Sequence, residues 1–134
     1  MTPEELSQAS LLDLFRIEAE EQAQKLTAGL LALERDPVAA QHLESCMRAA
    51  HSLKGAARIA AITACVSIAH AMENCFVTAQ QGQPGLQPAT IDKLLQGVDL
   101  RLEGGVLQSR GDDAGRQGEF RASQLELAIV SLGA

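Results

Sequence analysis

The stretch that decides the fold is residues 43–58, which read LESCMRAAHSLKGAAR. Its apolar members recur at steps of three and four residues, a spacing that forms one buried stripe on an α-helix. These members are Leu43, Cys46, Ala50, Leu53 and Ala57. His51 follows Ala50 and so lies about 100° around the helix from it, on the flank of the stripe and toward solvent. The stretch therefore predicts an amphipathic helix with a histidine beside its buried seam.

Similar patterns on both sides of this stretch predict further helices. The first helix is expected to have Ser10 as its N-cap, Asp13 in the capping-box position, and its end near Arg35. Asp36 and Pro37 are expected to start the second helix, because Asp caps helix N-termini and Pro suits the first helical position. The remaining predicted helices run from about Ile62 to Gln80, from Gln87 or Thr90 through Leu102, and from Glu119 to Leu132.

The arrangement of these helices predicts a single domain over residues 1–134. Its core is expected over about residues 10–103, followed by a C-terminal loop and helix over about 104–134, because glycines interrupt the helical pattern there. Long helices with short connections pack antiparallel by default. The predicted fold class is therefore all-α, an antiparallel four-helix bundle with an additional C-terminal helix.

The composition excludes several classes of protein. The 134 residues include 11 Lys and Arg against 17 Asp and Glu, a net charge of −6 that argues against binding to nucleic acid. Aromatic residues make up 2%, too few for base-stacking surfaces. The three cysteines show no CxxC spacing, which fits a reducing compartment. Because no window of about 18 residues is uninterruptedly apolar, we expect a cytoplasmic domain without membrane insertion.

The residues around His51 suit a histidine that carries a phosphoryl group. A neutral imidazole is a nucleophile near neutral pH. Lys54, one turn further on, can supply the positive charge that a phosphoryl group needs. Gly55 lets a partner protein approach closely, although glycine in a helix costs about 0.5–1 kcal/mol relative to alanine. Arg58 falls within about 20° of His51, so these side chains are expected to share one surface.

His70 and Glu73 add a second pair of polar residues, one turn apart on the shoulder of the next helix. If that helix packs antiparallel to the helix of His51, Glu73 can reach the imidazole ring. A carboxylate that accepts the Nδ1–H proton fixes the tautomer and leaves the Nε2 lone pair pointing outward.

Two motifs resemble a known family. The sequence HSLKGAA at residues 51–57 resembles the His-x-Leu-Lys-Gly signature of histidine phosphotransfer (HPt) domains. The sequence HAMEN at residues 70–74 resembles the His-x-x-Glu element of the HPt domain in CheA-like chemotaxis-type kinases. The resemblance covers roughly residues 11–80, and the pattern LLDLFR at residues 11–16 is similar to the phosphotransfer domain of Wsp-type hybrid kinases.

The resemblance implies a phosphotransfer module of two-component signalling. It implies that His51 is the phosphoacceptor and that Gly55 lies on the docking side. Lys54, His70 and Glu73 would stabilise the phosphoryl group and orient the ring. A histidine kinase domain would supply the group from ATP, and an Asp of a response-regulator receiver domain would accept it.

The resemblance also implies where the cofactors belong. ATP and Mg would be used by the partner kinase and receiver domains. No cofactor is expected within this chain, which has no Walker-type loop or nucleotide-binding box. The isolated domain would thus be the substrate of a kinase, and its parent chain a histidine protein kinase.

Two positions depart from the family pattern. The family usually has a second glycine ten residues after the histidine, where this chain has Ala61. Arg58 adds a charge where small residues are frequent. Because alanine is still small, we expect Gly55, Arg58 and Ala61 to form the docking side together.

Two alternatives involve no phosphate chemistry. A helical interaction or dimerisation bundle would associate through an exposed apolar patch. A zinc site could combine His42 and Cys46, four residues apart, with Cys65, His70 or Cys75. Zinc sites usually take a tight ligand pair from each of two segments, whereas Cys46 and Cys65 fall on apolar seams, where a free cysteine is an ordinary core residue. We therefore expect no metal.

Overall fold

Three helices and a fourth helical segment form the protein in a computed structural model that describes residues 2–82, 86–96 and 98. Helix α1 spans Pro3–Arg35, α2 spans Ala40–Ile59 and α3 spans Thr63–Gln80. Residues 88–96 are also helical, and no strand occurs within the described ranges. Helix α2 packs against both α1 and α3. The predicted all-α class is confirmed.

Helix α1 begins seven residues before the predicted N-cap. Thr2 is the N-cap: its hydroxyl accepts a hydrogen bond from the Glu5 amide at 3.1 Å, and the Glu5 carboxylate accepts one from the Thr2 amide at 3.2 Å. This reciprocal capping box, with Pro3 in the first turn, satisfies amides that a helix start leaves unpaired. The prediction that Ser10 caps the helix is wrong, because Ser10 lies inside α1. The predicted end near Arg35 is confirmed.

The connection from α1 to α2 also differs from the prediction. Asp36 terminates α1 instead of starting α2, since its amide donates to the Ala32 carbonyl at 3.1 Å. The Asp36 carbonyl then accepts a hydrogen bond from the Ala39 amide at 3.2 Å, which closes a turn around Pro37. Helix α2 therefore begins at Ala40, and its N-cap Ala39 makes no side-chain hydrogen bond.

Some of the remaining predicted boundaries fall on described residues and others do not. The start of α3 at Thr63 and its end at Gln80 agree with the predicted range. The Gln87 carbonyl accepts from the Ile91 amide at 3.0 Å, so Gln87 starts the fourth segment. The predicted continuation to Leu102, the 104–118 loop and the 119–132 helix lie outside the described residues. No helix in the described part of the chain is long and apolar enough to cross a membrane.

The core lies between the helices and consists mainly of leucine, alanine and isoleucine, with Phe15, Phe76 and Met72 as its bulkier members. The largest fully buried side chains include Phe76, Leu26, Leu30, Leu33, Leu53, Ile62 and Met72. Helices α1 and α2 approach closely at Gly29, where an added Cβ atom would overlap Cys46 Sγ. Close packing here holds α2 rigidly in the bundle, so that its opposite flank can present His51 in a fixed position.

A Schellman motif ends α2 and positions α3 for the site. The Ile62 amide donates to the Ala57 carbonyl at 2.9 Å, and the Ala61 amide donates to the Arg58 carbonyl at 3.2 Å. This motif requires a left-handed residue at its centre, and Ala61 has a φ of 60°. The backbone conformation thus explains why the family usually has a glycine at this position, because glycine adopts a left-handed conformation without a steric penalty.

We therefore expect Ala61→Gly to stabilise the fold. A left-handed conformation costs a residue with a Cβ atom about 1–2 kcal/mol, and glycine avoids this cost. Glycine also makes the unfolded chain more flexible, which offsets part of the stabilisation. The net increase in the free energy of unfolding should be about 0.5–1 kcal/mol, measurable as a rise in Tm of several degrees. As a control, Ala28→Gly in the interior of α1 should lower the stability by about 1 kcal/mol. An unchanged or lower Tm for Ala61→Gly would contradict this account of the turn.

Candidate functional site

His51 lies on the open flank of α2. Its side chain is 66% exposed, whereas Ala50 and Leu53 beside it are fully buried. The buried residues fix the rotation of α2 in the bundle, and this rotation places the imidazole at the surface. The ring is thus accessible to a protein partner without any opening of the core.

Glu73 of α3 joins the imidazole to Lys54. Its Oε1 atom lies 3.2 Å from His51 Nδ1, and its Oε2 atom lies 2.8 Å from Lys54 Nζ. The Oε2 atom is buried, and its ion pair with Lys54 is its one polar contact among the described residues. One carboxylate therefore holds a ring and an ammonium from α2 and ties α2 to α3 at the level of the site.

The charge on Glu73 fixes the tautomer of His51. Burial favours the neutral carboxylic acid, but the hydrogen bonds and charges of Lys54 and His51 together outweigh burial, so that the pKa of Glu73 is lowered. An ionised carboxylate only accepts hydrogen bonds. A neutral imidazole beside it therefore carries its proton on Nδ1, which donates to Glu73. Nε2 keeps its lone pair on the other edge of the exposed ring.

The lowered pKa of Glu73 makes part of the stability depend on pH. A carboxyl group whose pKa is lower in the folded state stabilises the fold above its unfolded value, near 4.5, and loses that contribution as the pH falls through the folded value. We expect the Tm difference between the wild type and Glu73→Gln to be constant above about pH 5.5 and to shrink below pH 4.5. Thermal unfolding of both proteins across this range measures it. A difference that grows at acid pH would contradict the assigned direction.

Lys54 is placed differently from the sequence-based expectation that it shares the open surface with His51. Its side chain is only 11% exposed, and its ammonium pairs with Glu73. Its aliphatic stem is largely buried, as long basic side chains allow when only their charged end needs a polar partner. In this arrangement Lys54 acts on His51 through the shared carboxylate.

His70 is close in sequence to Glu73 but does not join the same hydrogen-bond network. It is exposed, and its Nε2 atom lies 3.3 Å from the Asn74 side-chain amide nitrogen, which donates to it. Asn74 was not singled out by the sequence. The spacing of four residues between His70 and Asn74 on α3 was the available signal.

This constellation falls within a known domain family. Residues 10–106 match the profile of the Hpt domain. The chain belongs to the Hpt domain family. An Hpt domain is the histidine-containing phosphotransfer module of two-component signalling, and His51 lies within the matched residues.

The relatives of this Hpt domain are much longer proteins. The chemotaxis protein CheA of Treponema pallidum is 31% identical over 90 residues, which cover 67% of this chain and 11% of that protein. The sensor histidine kinase CheAY of Helicobacter pylori is 29% identical over 124 residues, 92% of this chain and 15% of that protein. The gliding motility regulatory protein of Myxococcus xanthus is 34% identical over 91 residues, 68% of this chain and 12% of that protein. The chain thus spans between a tenth and a sixth of the relatives' length, and its resemblance to CheA-like proteins is confirmed. The similarity to Wsp-type kinases stays a prediction.

The three residues predicted for docking lie toward the C-terminal end of α2 in this Hpt domain. Gly55 is half-buried, and a Cβ atom added to it would meet no described residue outside its own helical turn within 4 Å. Arg58 and Ala61 are exposed. The internal packing of the domain therefore gives no reason for a glycine at position 55, which loses helix stability relative to alanine.

The cysteines of this Hpt domain are core residues. Cys46, Cys65 and Cys75 are all buried, and none of them forms a disulfide bond. Burial raises the pKa of the Cys46 and Cys75 thiols to about 11, which disfavours the thiolate that zinc requires. Among residues 2–82, 86–96 and 98, no three His, Cys, Asp or Glu side chains are grouped so that they could hold a metal ion.

Proposed function

We propose that this Hpt domain accepts a phosphoryl group on His51 Nε2 and passes it to an aspartate of a receiver domain. The donor is ATP bound to a histidine kinase domain. The observation that carries the proposal is the contact of 3.2 Å between Glu73 Oε1 and His51 Nδ1 on a ring that is otherwise exposed. This contact supports a free lone pair on Nε2, which is the atom that must attack phosphorus.

The chemistry consists of two displacements on phosphorus. In the first, the Nε2 lone pair forms a bond to the γ-phosphorus of ATP, and the bond to the bridging oxygen breaks so that ADP leaves with the electron pair. The imidazole keeps the proton on Nδ1, and the positive charge that develops on the ring is stabilised by the Glu73 carboxylate. In the second, the Asp carboxylate of the receiver attacks the same phosphorus, and the electron pair of the P–N bond returns to Nε2. Mg held by the partner domains would supply the positive charge that the phosphoryl oxygens need in both steps.

The residues around His51 have distinct roles in this proposal. Glu73 orients the ring, and Lys54 keeps Glu73 ionised and in place while adding positive charge near the phosphoryl group. His70 orients polar groups at the edge of the same surface through its contact with Asn74. The side chains of Glu73, Lys54 and His70 are held by contacts within the domain. They can therefore keep the same positions when the kinase and the receiver dock in turn.

Gly55, Arg58 and Ala61 belong in this proposal to the surface on which both partners dock. Relay encounters must dissociate quickly, so a modest contact area around His51 is expected. A missing side chain at Gly55 allows the partner backbone to approach the phosphoryl group closely, which in-line transfer between two proteins requires.

We expect Gly55→Ala to separate folding from docking. The added Cβ atom has open space, so helix propensity should raise the stability by about 0.5–1 kcal/mol. The same methyl group stands on the docking surface and should slow transfer to a receiver by about tenfold, since a small misplacement of reacting groups is costly. Tm and the transfer rate measure the two effects.

Gly29→Ala is the matched control, because its Cβ atom would overlap Cys46 inside the bundle. It should lower the Tm and leave the transfer rate of the folded protein unchanged. If Gly55→Ala transfers phosphate at the wild-type rate, the docking role of Gly55 is wrong.

The wider setting is also part of the proposal. The parent chain is a CheA-like histidine kinase of the cytoplasm, with this single Hpt domain over residues 1–134. ATP and Mg belong to its partner domains. The domain alone transfers a phosphoryl group but does not phosphorylate itself from ATP.

Incubation with a histidine kinase domain and radiolabelled ATP tests the function. We expect a label that is lost in acid and retained in alkali, as for a P–N bond, and that moves to a receiver domain on mixing. A protein that takes up no label, or that self-associates on size-exclusion chromatography without taking up label, would favour a helical interaction bundle instead.

A further inference from the structure

The charges of the bundle are divided unequally between its faces. Helix α1 carries seven acidic residues and three basic ones. The hairpin of α2 and α3 contains no acidic residue after His51 other than Glu73, and Glu73 is engaged by Lys54 and His51. Among the described helices, the face around His51 therefore repels an acidic partner less than α1 does.

On this face, Arg58 is the cation that is available to pair with a partner protein. It is exposed, and no hydrogen bond or ion pair to it is formed by the other described residues, whereas Arg48 at the other end of the face pairs with Glu44 at 2.7 Å. It lies seven residues after His51, about 10 Å along the helix and within about 20° of the same direction. Its guanidinium can therefore reach the rim of a partner that covers His51, but not the reacting phosphorus.

The residue that follows Arg58 in the sequence is apolar and also exposed. Ile59 is 72% exposed, more than any other large apolar residue among those described. The two side chains point about 100° apart around the helix, so together they offer a partner a cation and a separate apolar contact, the two components from which protein interfaces are built.

We propose that Arg58 and Ile59 select the receiver domain, through a carboxylate on the receiver's docking face about 10 Å from its acceptor Asp and an apolar residue beside it. The inference rests on the proposed function, since it assumes that a receiver docks over His51. Opposite charges at such a rim raise the association rate and exclude partners with a like charge, and salt weakens the effect.

The test measures transfer from the purified, phosphorylated 134-residue chain to the receiver domain of the source organism that accepts phosphate fastest from the wild type. Arg58→Glu should lower kcat/KM at least tenfold at low salt, mainly through KM, and the difference should narrow as salt increases. Arg58→Gln, which avoids an acidic residue at the end of α2, should lower it about threefold. Ile59→Ser should lower it at all salt concentrations.

Arg16→Glu is the matched control, because it makes the same change in net charge at an exposed position of α1. It should leave kcat/KM within twofold of the wild type. Equal losses in Arg16→Glu and Arg58→Glu, or no loss in Arg58→Glu and Arg58→Gln, would overturn the inference while leaving phosphorylation of His51 intact. A wild-type chain that never acquires label would instead overturn the proposed function.

Discussion

Replacement of His51 by glutamine is expected to abolish phosphorylation of the domain, by at least about 10³-fold, because His51 supplies the nucleophilic nitrogen and is the histidine whose ring contacts Glu73. The substitution should leave the fold intact, since the His51 side chain is 66% exposed and contributes no core contact. Label formation with a kinase domain and ATP measures the first effect, and the Tm measures the second.

His70→Gln provides the matched control for this experiment. His70 is a second exposed histidine, on α3, and has its own contact with Asn74. We expect His70→Gln to retain the label, with a rate reduced only severalfold. If the label persists in His51→Gln and disappears in His70→Gln, the phosphoacceptor has been assigned to the wrong residue.

Replacement of Glu73 by glutamine is expected to have the second largest effect. The neutral amide no longer favours the proton on Nδ1 and no longer stabilises the charge that develops on the ring. Loss of an orienting hydrogen-bond partner behind a functional histidine typically costs 10–100-fold in activity, and we expect a labelling rate lower by about this factor. The nearly buried Lys54 ammonium also loses its counter-charge, so the stability should fall by about 1–3 kcal/mol.

Lys54→Met separates the two consequences of the Glu73 substitution. It removes the ammonium and leaves the Glu73 to His51 contact available, with a side chain whose volume suits the largely buried position. If Lys54 acts mainly through Glu73, Lys54→Met should lower the labelling rate less than Glu73→Gln does and should shift its pH dependence. A larger loss in Lys54→Met than in Glu73→Gln would show that the ammonium contacts the phosphoryl group directly.

The helices in the described part of the chain could be predicted where the spacing of apolar residues and the residues that end a helix indicate the same boundary. The seam of α2 and the range of α3 follow from apolar spacing alone. The ends of α1 and the start of α2 depend on competition between caps. Thr2 and Glu5 form a reciprocal capping box, so α1 begins before Ser10. The Asp36 amide bonds to the last turn of α1, so Asp36 ends α1 and does not cap α2.

The site was predictable to the extent that it lies on single helices. The spacing of His51 on α2 and of Glu73 on α3 places both on facing flanks, and antiparallel packing brings them together. The direction of Lys54 was not predictable, because a long flexible side chain follows whichever partner the neighbouring helix supplies. Nor could the sequence give the left-handed backbone at Ala61, since alanine rarely adopts it.

The attachment atom of the phosphoryl group tests the account most directly. NMR of the ¹⁵N-labelled domain, phosphorylated by its kinase, reports which imidazole nitrogen is coupled to phosphorus. The contact between His51 Nδ1 and Glu73 predicts that phosphorus is bonded to Nε2 of His51 and that Nδ1 retains its proton. Phosphorus bonded to Nδ1, or to any other residue, would contradict it.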